Sequence, residues 1–170
     1  MGGRIRFDVV VSLVILATLM AVLLERMLYY EEYAEKTVVD MTVTQMTVGL
    51  QWRKAEIMLG TALGQPMAGL PDNPIDWLPF RPAEYRGEFA GDAPATEGDG
   101  IWYFDTVQRD LVYRPRLSRH FDATPAAPAQ VRVRAVRNVV AKDAVPPPPS
   151  WEGVSLVRVG QDQWFRGDGL

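Results

Sequence analysis

The sequence predicts an α+β protein: a long amino-terminal helix, apolar enough at its start to enter a membrane, packed in its later part against a small antiparallel β-sheet. Three observations predict it. Val9 to Leu24 (VVVSLVILATLMAVLL) is an unbroken apolar run behind a short basic tip and one carboxylate, Asp8. From Met27 to about Gly60 apolar residues recur at helical spacing, with no proline. Beyond residue 100 the pattern turns to short β-branched and aromatic runs separated by turn residues.

Length and composition bound the function. A chain of 170 residues is about one domain, and once roughly sixty are spent on a helix, about a hundred remain for one small core. The net charge of −3 favours neither nucleic acid nor strong electrostatic steering. The chain has no cysteine, which removes disulfides, thiol catalysis and thiolate metal sites together.

The apolar run divides the chain. Residues 1–6 read as a basic cytoplasmic tip or leader, 7–30 as a transmembrane helix, 31–60 as its amphipathic continuation and 61–170 as a β head with Pro/Gly-rich loops. Val9 to Leu24 alone would span about 24 Å, short of the ~30 Å hydrocarbon core. Phe7 at one end and Met27 to Tyr30 at the other extend it, and Tyr29, Tyr30 and Tyr33 supply an aromatic belt. A cleaved secretory signal is the competing reading, but Glu25-Arg26-Met27 stands where a small-x-small site would be needed. Arg4 and Arg6 precede the span while Glu31, Glu32 and Glu35 follow it, so the positive-inside rule puts the amino terminus in the cytoplasm and the head outside.

In the continuation, Val39, Met46 and Trp52-Arg53 fall near one stripe at sevens, and Val43, Leu50 and Ile57 form a second; together they make one broad helix face. Met41 to Val48 also alternates and is β-branched, so a strand is its rival there. Helix is preferred because no turn residue intervenes before Gly49, and Gly60 with Gly64-Gln65-Pro66 supplies the stop. Gln65 to Gly100 is rich in Pro, Gly and Asp and reads as an ordered irregular connection anchored by Trp77, Phe80, Tyr85 and Phe89. Its acidic excess faces a basic second half, a split that suits contacts between subunits but more commonly marks a solvated surface.

Ile101–Asp105 and Asp110–Arg114 flank Thr106 to Arg109 as a hairpin. Gln130 to Val140 reads as a half-buried strand, arginines on its wet side, with a bulge near Val136-Arg137. Pro146 to Pro149 is a polyproline loop and a rigid connector. Gly153 to Val159 and Gln163 to Arg166 close the chain as a second hairpin. Four to five antiparallel strands are expected.

No arrangement of residues reads as an active site, so no enzymatic activity and no cofactor are expected. His120 is the single histidine, which leaves no imidazole pair for a metal and gives it a structural or surface role. Asp92, Glu97, Asp99 and Asp105 offer hard oxygens of the kind calcium takes, but their spacing matches no EF-hand loop, and a plain acidic turn is expected. Arg132, Arg134 and Arg137 have no aromatic neighbours on their strand, so no nucleic acid is expected. Asp8 stands apart, because a carboxylate at the mouth of an apolar span is costly unless it lies at the interface or finds a partner.

The amino-terminal segment resembles the type IV pilin and type II secretion pseudopilin family. Those precursors carry a short basic leader ending in glycine, then a mature chain whose fifth residue is glutamate, where this chain offers the aspartate carboxylate, then an apolar helix that continues out of the membrane. With Gly3 as the leader's end and Arg4 as the first mature residue, Asp8 takes the fifth position. Arg4 stands where the family prefers phenylalanine or methionine, and Leu24 to Leu28 lacks the proline often found there. The resemblance implies a pilin-like fold and cleavage between Gly3 and Arg4 by a prepilin peptidase, with methylation of the new terminus. It also implies a structural role as a minor pilin or pseudopilin, drawn from the inner membrane by an assembly platform. The subunit would pack against copies of itself or other pilin-like subunits, with Asp8 pairing to a neighbour's terminal amine to set register. The alternative is a single-pass, membrane-anchored periplasmic scaffold protein of a pilus or secretion assembly complex.

Overall fold

The computed structural model describes residues 2–62, 70–121, 128–137, 153–160 and 164–165, with the backbone alone at 2–6, 61–62 and 137. They divide into two units, Met1–Thr37 and Val38–Leu170. One helix, α1 (Gly2–Ala62, 61 residues), runs through both.

In the first unit the apolar side chains of α1 from Phe7 to Met27 are exposed, Leu23 and Phe7 by about two-thirds. The helix is long and apolar enough to cross a membrane, and none of its most apolar 18-residue window is buried.

In the second unit, Met41 to Val48 is helical despite its β-branched alternation. Two causes act together. Thr42, Thr44 and Thr47 each return the hydroxyl proton to the carbonyl four residues back, at 2.8, 2.9 and 3.1 Å, so the helix itself satisfies them. Val39 and Met46 are meanwhile buried under the sheet, and that burial outweighs a weak strand preference. The two sets at sevens hold in part: Val39, Met46, Leu50 and Ile57 are buried and Val43 packs beside them. Trp52 does not join them and is 69% exposed, because position 53 continues the stripe and is filled by a half-exposed Arg53 paired with Glu56. The helix ends at Ala62, and Gly64 to Pro66 lies outside the described residues.

The sheet has five strands in the order β1-β2-β3-β4-β5: β1 (Tyr85–Phe89), β2 (Ile101–Asp105), β3 (Asp110–Arg114), β4 (Val131–Arg137) and β5 (Val154–Val159). β2 to β5 form an antiparallel meander, with the β2–β3 hairpin at the expected residues. β1 corrects two expectations, for it lies within the segment read as irregular and pairs parallel to β2, which makes the sheet mixed. Its register shifts between Tyr85 and Glu88, around Gly87 at φ 110°, a conformation that suits glycine.

Two further corrections fall on the carboxyl-terminal strands. β4 and β5 pair in constant register from Arg132–Val159 to Arg137–Val154, so the bulge at Val136-Arg137 is absent; six consecutive pairs hold the ladder straight. Trp164 does not return beside β5 but bridges Phe121, where both rings fill the core. Gln163, Arg166 and Pro146 to Pro149 lie outside the described residues.

Strand alternation gives the sheet two different faces. The inner face (Trp102, Phe104, Leu111, Tyr113, Val131, Val133) packs on Val39, Val43 and Met46 of α1 and on Ile75. Ile75 belongs to a 3-10 turn, Pro74–Trp77, capped by Asn73, whose Oδ1 accepts from the Ile75 amide at 3.1 Å. Gly49 of α1 lies against this turn so closely that a Cβ there would stand 2.2 Å from the Trp77 carbonyl oxygen. β5 is tied to the helix by Lys54, whose Nζ donates to the Val154 carbonyl at 2.7 Å, and by an ion pair between Arg158 and Asp40.

Candidate functional site

The outer face of the sheet is the more polar one. β2 contributes Ile101, Tyr103 and Asp105, β3 contributes Asp110 and Val112, and β4 contributes Arg132 and Arg134, all on one side by the strand register. Phe89, Ala93, Ile101, Tyr103 and Val112 form a small apolar cluster here. The segment from 90 to 100 is held to the sheet by Arg114, whose guanidinium donates to the carbonyls of Ala93, Pro94 and Gly98.

Beside that cluster lies a chain of charges. Arg134 grips Asp110 with two hydrogen bonds, 2.5 Å from Nε and 2.9 Å from Nη2. Arg132 donates to Asp92 at 2.6 Å and Gln130 at 2.8 Å, and its Nη1 lies 3.4 Å from Asp105. Asp105 Oδ1 also accepts the amides of Val107 (2.9 Å), Gln108 (3.1 Å) and Gly91 (3.2 Å), which fixes the β2–β3 turn. Tyr103 Oη donates to Asp92 at 3.1 Å.

Electrostatics follow the contacts. Burial of Asp105 works to raise its pKa, yet the amides of Gln108, Val107 and Gly91, with Arg132, outweigh it, and the carboxyl titrates below its ordinary value. Burial and the Asp92 carboxylate push the Tyr103 phenol up to about 12. The hydrogen bond that Arg134 donates to Asp110 raises the pKa of its guanidinium and keeps it protonated.

This arrangement corrects one expectation. Arg132 and Arg134 are not simply on a wet face, since Arg132 is only 20% exposed and both are consumed by buried carboxylates, Asp105 and Asp110. The acidic stretch and the basic strand therefore neutralise each other within the chain at Asp92, Asp105 and Asp110. Among the described residues no group of acidic or histidine side chains is arranged to hold a metal ion. Asp92 and Asp105 come together on Arg132 rather than around a shared cation, and Glu97 closes a separate 3-10 turn (Ala95–Glu97). His120 is exposed and stacks on Phe165 with centroids 5.0 Å apart. Sequence reasoning missed Asp110 and Tyr103; the signal for Asp110 was the placing of an acid opposite an arginine once β3 and β4 are set in register.

A cleft of about 330 Å³ opens at the same, carboxyl-terminal end of β2, lined by Asn73, Asp76, Glu88, Phe104, Thr106 and Arg109 among others. Its polar groups also hold one another: Asn73 Nδ2 donates to Tyr85 Oη at 2.8 Å and Glu88 at 3.1 Å, and Arg81 donates to Asp76 at 2.7 Å. Among the described residues, neither place pairs a nucleophile with a base.

On α1, Gly3 and Arg4 fall in the first turns of helical backbone, and Asp8 lies one turn further, exposed at the head of the apolar run. Compared with protein-family models, curated proteins and solved structures, the chain matches none.

Proposed function

We propose that this chain is a structural subunit, a minor pilin or pseudopilin, of a type IV pilus or type II secretion filament. In this reading residues 7–30 hold it in the bacterial inner membrane, amino terminus in the cytoplasm and sheet domain in the periplasm, until an assembly platform draws it into a filament. The observation that carries the reading is the run of exposed apolar side chains at the start of a helix that continues unbroken to the residues on which the sheet is seated. Exposed apolar surface of that extent needs lipid or other helices to cover it.

Asp8 is the register device in this account. A carboxylate in hydrocarbon costs roughly 2.5–3.5 kcal/mol, a penalty relieved when a neighbour's terminal amine, freed by cleavage after Gly3, pairs with it. The test is to follow Asp8→Ala in membranes and in sheared filaments. The variant is expected to insert normally and to be lost from the filament fraction; normal incorporation would remove Asp8 from this role.

A second reading, the single-pass periplasmic scaffold protein, is favoured by the unbroken helix across Glu25 and Arg26, where the resemblance leads one to expect a turn. It predicts that the chain stays in the membrane with Met1 to Gly3 attached, and that it is absent from filaments.

A further inference from the structure

The second unit of α1 carries a further apolar stripe. Val38, Met41, Gln45, Val48, Trp52 and Leu59 follow the alternating three- and four-residue spacing of a coiled-coil seam, with Ala55 completing it, and all are exposed. The exposure is large where it matters: 62% at Val38, 61% at Met41, 50% at Val48, 69% at Trp52 and 63% at Leu59. Val39 and Met46, buried under the sheet with Val43 packed beside them, and the buried Leu50 and Ile57 lie on the opposite side of the same helix. One helix segment thus has two apolar faces, of which its own sheet covers one.

We propose that the exposed stripe is a homotypic seam, on which a second copy of this chain docks the same stripe in parallel and in register. A spacing of 3.5 residues sustained for three heptads selects another helix as the occupant, because it keeps the seam facing a supercoiled partner. Parallel orientation follows from the apolar amino-terminal run, which places both copies' first residues at the same membrane. The sheet covers the far side of each helix and leaves the stripe itself exposed, while the Pro74–Trp77 turn reaches one flank position of the seam, Gly49.

The flanks fit a copy as well. Glu56 is the one charge on either flank, so like charges do not face each other, and in register Gln51 of one copy lies across from Glu56 of the other as an amide donor to a carboxylate. Gln45, polar within the seam, fixes register at some expense of stability. Trp52 contributes about 150–250 Å² per copy, and with Val38, Met41, Val48 and Leu59 the paired stripes reach the ~1,000 Å² that separates specific interfaces from incidental ones. This seam is symmetric and stands whether or not the chain enters a filament, where successive subunits meet through unlike, axially offset surfaces.

The absence of native cysteine makes the test direct. Val38→Cys, Leu59→Cys and Thr47→Cys are made singly in the full chain and oxidised mildly in native membranes. All three positions are exposed, so folding is not at stake. An in-register parallel seam brings copies of positions 38 and 59 within the roughly 4.4–6.8 Å Cα separation that a disulfide spans, while position 47 points away. Linked dimer is expected at 38 and 59 at about ten times the yield at 47, and Trp52→Ala in the Val38→Cys chain is expected to cut it about tenfold, as loss of a central aromatic anchor does. Equal linkage at all three positions, linkage at none, or a stripe covered only by lipid around an unlinked monomer overturns the proposal. Absence from filaments with strong linkage at 38 and 59 would reject the filament reading and leave the seam standing.

Discussion

Arg134 and Asp110 face each other across β4 and β3 and share two hydrogen bonds, yet they are unequally placed: Asp110 is fully buried while the Arg134 side chain keeps 39% of its surface in water. The asymmetry decides which partner the fold can lose. Without Asp110, Arg134 swings into solvent. Without Arg134, the one cation left to this buried carboxylate among the described residues is Arg132, 3.9 Å away. Arg134→Ala is therefore expected to cost about 2–3 kcal/mol, below the 3–5 kcal/mol of fully buried pairs because the guanidinium is partly solvated, and Asp110→Ala about half as much. Urea unfolding of the detergent-solubilised chain, followed by tryptophan fluorescence, checks the order; the reverse order contradicts it.

Gly49 inverts an ordinary rule. Alanine for glycine inside a helix normally stabilises by about 1 kcal/mol. Here the added methyl would meet the Trp77 carbonyl at 2.2 Å, a backbone atom with no rotamer to yield. Gly49→Ala is expected to destabilise by about 1–3 kcal/mol and to alter the near-ultraviolet circular dichroism, through the displaced Trp77.

Asp105 and Tyr103 set the two pH limits of the sheet. The folded pKa of Asp105 lies below its ordinary value of 3.8, so its contribution is complete above that value and is lost as pH falls through the folded pKa. Asp105→Asn is expected to lower stability by about 2 kcal/mol at neutral pH, through lost charge-assisted hydrogen bonds, and to flatten the acid limb of the stability curve. Tyr103 behaves in the opposite sense. Its folded pKa of about 12 exceeds the ordinary 10, so its contribution is complete below pH 10 and declines as pH rises towards 12. Burial raises the Tyr85 phenol as well, so spectrophotometric titration of the folded chain should show fewer phenols ionising near pH 10 than the unfolded chain, and Tyr103→Phe should narrow that difference by one phenol without abolishing it.

The Asp40–Arg158 pair joins α1 to β5 but lies in solvent, its side chains 35% and 47% exposed. A double-mutant cycle on Asp40→Ala and Arg158→Ala is expected to give a coupling of about 0.5 kcal/mol that fades with added salt, since exposed pairs are screened. A coupling as large as that of Arg134 with Asp110 would contradict this ranking.

Local signals explain what was legible in the sequence. The β2–β3 hairpin could be read because Ile101–Asp105 and Asp110–Arg114 are aromatic and β-branched runs around a four-residue turn, and the helix because no proline interrupts Met27 to Gly60. β1 was hidden: Tyr85-Arg86-Gly87-Glu88-Phe89 carries two charges and a glycine, and its parallel partner is reached only through a loop with its own 3-10 turn. The charged outer face was hidden for another reason. Arg132 meets Asp92 at a separation of 40 residues and Arg134 meets Asp110 at 24, so those pairs exist only once the register is set. Trp52 was misplaced by one position, and on a helix one position is about 100°.

Mass spectrometry of the amino terminus of the native protein tests the central claim most directly. A filament subunit of the proposed kind loses Met1 to Gly3 and begins at a methylated Arg4. An intact, unmethylated Met1 in cells with active prepilin peptidase would contradict it.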